Sequence, residues 1–252
     1  MTRAIAAISF VFLWAASAVL THAQPAQHAP DGGTRETISS IAVPPLANAP
    51  FSATVQTEWT KYLADGSTQF IKNHRVIARD SLGRVFQERT TFVPNGSPTD
   101  SQVWRTELAE PATHTVAYCD TRSHVCELRP YVLPPSVPPP AAGTVASRSG
   151  SFVTENLGSR TLDGLELIGT RESQTMNPLV TGTDRPLVVV KEFWYSRRLG
   201  VNVLTTRNDP RSGKEVFTVT NIRLGEPDAS LFALPANASV VDLRGVPTAS
   251  IR

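Results

Sequence analysis

Apolar and polar residues alternate from the start of the readable chain. Phe51, Ala53, Val55, Thr57 and Trp59 interleave with Ser52, Thr54, Gln56 and Glu58, the period of two that sets one strand face on a core and the other in water. Asp65-Gly66 supplies a tight turn, since glycine tolerates the positive φ of hairpin turns. A second strand is predicted over 68–79. Asp80-Ser81-Leu82-Gly83 turns the chain again, and 84–93 reads as a third strand marked by Val85, Phe86 and Phe92, completing an antiparallel meander. After a polar loop the pattern is weaker, and 100–110 reads as a short helix. Residues 113–119 and 124–132 read as another hairpin.

The same style returns later in the chain. Strands are predicted over 152–162 and 165–174 around the turn Asp163-Gly164, then over 187–196, 201–207 and 215–222. Asn208-Asp209-Pro210-Arg211-Ser212-Gly213 is a run of turn formers between β-branched segments, so it connects neighbouring strands. Glu226-Pro227-Asp228 opens a single helical turn that points Leu231 and Phe232 at a core, and Pro235 ends it. Residues 239–243 add a last strand. The Pro-rich run 134–143 cannot pair as an inner strand, because proline lacks the N–H donor; it is a surface loop or a linker.

The N-terminus changes the picture by setting a compartment. Arg3 precedes an apolar run from Ala4 to Leu20 that ends at Thr21-His22-Ala23, the layout of a secretory signal with cleavage after Ala23. An uncleaved anchor is the competing reading. The expected layout is a signal over 1–23, a flexible leader over 24–50, a β domain over 51–243 and a loose tail over 244–252. The processed product is then periplasmic or secreted and not an integral membrane protein. Removing the signal leaves 23 basic against 22 acidic residues, a net charge of +1. The basic residues are interleaved with acids, which gives no reason to propose nucleic acid as a partner. With 40% hydrophobic residues the chain can build a sizeable core.

The signal, "FSATVQTEW" leading into "STQFIKNHRVIARDSLGRVFQE", and "VFTVTNIRLGEPDASLFALPANASVV" together resemble envelope proteins of the LolA, LolB and RseB-like type. The segments "LDGLELIGTRES", "EFWYS" and "NDPRSG" are also similar to a group of acidobacterial secreted proteins. The resemblance implies a mainly β fold: a single curled antiparallel sheet, an open half-barrel with short helices. It also implies an apolar concave surface that holds acyl chains or a partner peptide, and no catalytic set.

Candidate chemistry is sparse. The sequence has no phosphate-binding Gly-rich loop, no His-Glu-x-x-His and no Gly-x-Ser-x-Gly elbow, so neither an enzyme nor a cofactor is expected. His114 and His124 flank a hairpin and read as exposed residues, with a metal site as the weaker alternative. Glu172 and Glu192 read as partners for arginines. Phe193, Trp194 and Tyr195 are consecutive, so in a strand Trp194 faces away from the other two. Either they pack in the core, or Phe193 or Trp194 lines a cleft with Arg197 and Arg198 at its rim. Cys119 and Cys126 sit on opposite arms of "YCDTRSHVCEL" in an exported chain, where a disulfide is expected. A redox pair, or free thiols after a register slip, are the alternatives. Two functions remain open: a binder of a lipid, lipoprotein acyl chain or lipidated peptide, or a non-catalytic module that senses or binds an envelope protein.

Overall fold

The alternating segments form strands. The computed structural model describes residues 41–132 and 142–245. In it, β1 (Phe51–Tyr62), β2 (Thr68–Arg79), β3 (Val85–Thr90), β4 (Val93–Pro94), β5 (Val103–Glu110), β6 (Thr115–Asp120) and β7 (Val125–Pro130) are followed by β8 (Gly143–Ser147), β9 (Gly150–Leu162) and β10 (Leu165–Met176). The order closes with β11 (Leu187–Ser196), β12 (Val201–Asp209), β13 (Gly213–Leu224) and β14 (Ser239–Asp242). All belong to one sheet, ordered β14-β7-β6-β5-β3-β2-β1-β13-β12-β11-β10-β9-β8, with β4 beside β2. Pairing is antiparallel throughout except that β14 runs parallel to β7.

The architecture is the expected one: mainly β, a single open, curled antiparallel sheet with short helices. Two meanders meet where β1 pairs with β13, for instance at Val55 opposite Val219 and Thr57 opposite Phe217. The seam is tight at Gly213, whose φ of 109° and approach to Thr60 leave no room for a side chain: a Cβ there would stand 1.9 Å from the Thr60 carbonyl oxygen.

The alternation carries through to burial. Phe51, Ala53 and Val55 of β1 join Ile77, Val85 and Ala109 on one side, and Val201, Val203, Phe217 and Val219 on the other, in a continuous buried cluster. At roughly 25 cal/mol per Å² of apolar area removed from water, this cluster is the main stabilising term. A smaller cluster on the opposite face sets Phe232 from the 3₁₀ turn Ala229–Phe232 against Ala78 and Phe86. Asp228 opens that turn by accepting a hydrogen bond from the Ser230 N–H, so the single helical turn is where the sequence puts it.

Two expectations change, and two elements are new. Residues 100–110 form no helix: β5 occupies Val103–Glu110 and pairs with β3 and β6, its alternate residues facing opposite sides of the sheet. Packed chain begins at Ile41 rather than Phe51, since Ile41 and Val43 are in the core cluster. The Pro- and Ala-rich composition of 41–50 hides this, because Arg79 of β2 supplies the donors that hold its carbonyls. Strand β8 and the helical turn Pro178–Thr181 have no counterpart in the sequence reading. The signal peptide, the leader up to residue 40, most of the Pro-rich run (residues 134–141) and the tail from residue 246 lie outside the described residues.

Candidate functional site

Cross-strand register defines one face in rows. Thr57, Phe217, Thr205, Phe193 and Thr170 lie opposite one another across β1, β13, β12, β11 and β10, and all five are buried. The next row is charged: Glu215, Arg207, Lys191 and Glu172. Arg207 reaches Glu215 at 3.6 Å and Asp209 at 3.2 Å. Burial pushes the Glu215 carboxyl up, and the neighbouring Arg207 only partly opposes it.

The row on the other flank runs Val219, Val55, Arg75 across β13, β1 and β2. Beyond it β3, β5, β6 and β7 turn polar on the same face. Gln87, Glu107, Tyr118 and Glu127 are directly opposite across four strands, and Arg89 is opposite Arg105. Like charges paired across a ladder repel, and Glu107 resolves this. One of its oxygens accepts from Arg89 Nε at 2.9 Å and a terminal nitrogen of Arg105 at 2.6 Å. The other accepts from Arg89 at 2.8 Å and Gln87 at 3.0 Å. Burial pushes the Glu107 carboxyl up, but the bonds and charges of Arg89 and Arg105 outweigh it and hold Glu107 below its ordinary range.

Arg75 lies at the inner end of this network. It is buried, donates to Gln87 at 3.1 Å and to the Ile41 carbonyl at 2.8 Å, and is pushed down to about 9 by burial and then by the charge of Arg89. The Nε atoms of Arg75 and Arg105 are buried and have no partner. Arg105 stacks beside Trp104 and Tyr118, 4.6 and 5.1 Å from their ring centroids. Arg89, Arg105, Glu107 and Tyr118, with Glu127, Arg129 and Pro130, line an open cavity of about 470 Å³. No signal in the sequence pointed here, because Arg89, Arg105 and Arg129 each stand alone in their strands and only register gathers them.

The residues singled out from the sequence fall in different places. Phe193 is wholly buried in the row described above. Trp194 is half-buried on the opposite side of β11, directly across from Gly169, under the Arg160 guanidinium at 3.8 Å. Arg197 and Arg198 are exposed in the turn between β11 and β12. The structure therefore does not gather these four around one point. Glu192 pairs with Arg171 at 2.8 Å, as expected. His114 and His124 both take positive φ at turns, and no cluster of metal-ligating residues occurs among the described residues. Cys119 and Cys126 are directly opposite and joined, with Cα atoms 4.0 Å apart, so the expected disulfide is present. No helix among the described residues is long and apolar enough to cross a membrane.

No protein-family model matches the chain, and no curated protein does. Among solved structures it is similar to LprF from Mycobacterium bovis, at 12% identity over 75% of this chain and 90% of that one, with a TM-score of 0.31. It is similar to the lipoprotein LppX from Mycobacterium tuberculosis, at 10% identity over 70% and 87%, TM-score 0.24. A LolA superfamily protein from Nitrosomonas europaea gives 11% identity over 75% and 91%, TM-score 0.23.

Proposed function

We propose that the protein is a non-catalytic binder, exported to the periplasm or beyond after cleavage at Ala23, that holds a lipid, acyl chain or lipidated peptide against one face of its sheet. The observation that supports this is the partition of that face. A band of Val55, Val219, Val203, Phe217 and Phe193 crosses four neighbouring strands, with charged residues on both flanks. Among the described residues there is a single sheet, and no second sheet packs on this band. The band is already covered, with Ile41 and Val43 of the preceding segment packed into the same cluster, so a bound acyl chain would take the place of part of that cover. Phe193 serves as a wall residue in this reading, and Arg197 and Arg198 sit at the end of the same strand.

Native mass spectrometry of the processed protein, purified from its own envelope, tests the reading. A co-purifying lipid mass that organic extraction removes is the expected result, as is saturable binding of an environment-sensitive fatty-acid probe. A Thr205→Trp variant that keeps its strand-rich circular dichroism should lose probe binding, because the added ring fills the row. No ligand mass and no probe binding would sink the reading. They would favour the interaction module instead, for which the wholly exposed edge strand β8, with Val145 71% exposed, offers a place.

A further inference from the structure

We infer that the arginine cavity on the β3, β5, β6 and β7 end of the sheet is a phosphate site, and that in the lipid-binding reading, on which this rests, it receives the headgroup phosphate of the bound lipid. Three observations converge. First, the charge does not balance: the cavity is lined by Arg89, Arg105 and Arg129 against Glu107 and Glu127. Asp120 lies opposite Arg105 in register but turns one oxygen into its own hairpin, accepting from the N–H groups of Arg122 and Ser123. Arg129 is bound through Nε and one terminal nitrogen to a single oxygen of Glu127.

Second, donors are left over. Both oxygens of Glu107 are already shared among Arg89, Arg105 and Gln87, so it cannot satisfy the remaining guanidinium N–H groups, and the Nε of the cavity-lining Arg105 is buried without a partner. An unpaired buried donor costs about 1–3 kcal/mol, and a planar guanidinium fork matches phosphate oxygens. Third, position fits a two-part ligand. Arg75 extends the cross-strand row of Val219 and Val55, and the Arg89–Arg105 pair lies beyond it across β3 and β5. Strands lie about 4.8 Å apart, so the step from Val55 to the Arg105 strand is on the order of 14 Å, well within the span of one lipid.

The test uses the processed full chain and three probes: inorganic phosphate, phosphatidylglycerol, and a diacylglycerol with the same acyl chains. Binding is read by calorimetry for phosphate and by displacement of the fatty-acid probe for the lipids. Phosphatidylglycerol should bind at least tenfold more tightly than the diacylglycerol. Arg105→Gln and Arg129→Gln should each remove most of that preference while leaving diacylglycerol binding unchanged. Arg129 is the safer position for folding, because its partner Glu127 is half-exposed. Phosphate binding that weakens in both variants, with no lipid bound, would uphold the phosphate site and sink the lipid reading. Equal binding of the two lipids, or an unchanged preference in folded Arg129→Gln, would overturn the headgroup assignment and leave the lipid reading standing. Failure of all three probes would overturn both.

Discussion

Arg79 shows how much one residue can organise. It is wholly buried, and its guanidinium donates to the Ala49 carbonyl at 2.9 and 2.8 Å, to Pro44 at 3.0 Å and to Leu199 at 2.5 Å. Burial pushes it down to about 10, so it stays charged, and three carbonyls with the face of Phe51 at 5.0 Å replace its water. Arg79→Met should strand those acceptors and lower unfolding free energy by about 3 kcal/mol in urea titrations. Limited proteolysis should then cut within 41–50, which the same bonds tie down. Glu107 gives a pH prediction. Its folded carboxyl lies below the unfolded value, so its stabilisation is present above pH ~4.5 and is lost as pH falls through the folded value. Glu107→Gln should therefore be less stable than the parent at pH 7, and the gap should close in acid. A gap that persists at pH 2 would mean that the charge is not the cause. Neither role was legible in the sequence, because the partners come from elsewhere in the chain: those of Arg79 lie 30 to 120 residues away, and Gln87 and Arg89 lie 20 and 18 residues from Glu107.

At the scale of elements, local pattern was most informative where turn chemistry framed it. Residues 187–196 and the 119–126 hairpin are where alternation and turn residues put them. The Asn-Asp-Pro-Arg-Ser-Gly run does connect β12 to β13, with Asp209 accepting from the Arg211 N–H and side chain. The stretch 100–110 misled because Glu107 and Glu110 look solvent-facing, and only Arg89 of the neighbouring β3 together with Arg105 of β5 itself makes a buried carboxylate tolerable at Glu107. The hairpin carries its own prediction. The disulfide closes a short loop, worth about 2 kcal/mol in the chain-entropy model, and packs with Ala117 in a small cluster under Ala238. Reduction should cost about that much, and amide exchange should rise first in β7 and its parallel neighbour β14. Unreduced protein that accepts two alkyl groups would contradict the bond. Gly169 supplies a second test: a Cβ there would stand 2.8 Å from both the Trp194 ring and Leu157. Gly169→Ala should displace the indole from beneath Arg160 and shift its emission.

The whole molecule turns on the seam between two meanders. In sequence they looked like repeats of one style separated by a Pro-rich run, and composition left open whether that run is a loop or a linker. Nothing local can decide it, because the pairing that joins the halves links residues more than 150 positions apart, such as Val55 with Val219. The buried cluster crosses the seam, drawing Ile77 and Val85 from one half and Val203 and Leu167 from the other. Halves that share one apolar core should unfold as one unit. Two variants test this, one keeping Trp104 of β5 as the sole emitter and one keeping Trp194 of β11. Their urea midpoints should coincide, and Val219→Ala, which removes two methyl groups at the seam, should lower both by the same amount, about 2 kcal/mol. If Trp194 melted ahead of Trp104, or responded alone to the seam substitution, β8 to β13 would be an independent domain docked on the first, and the apolar band across β1 and β13 would be an interface between domains instead of a continuous binding face.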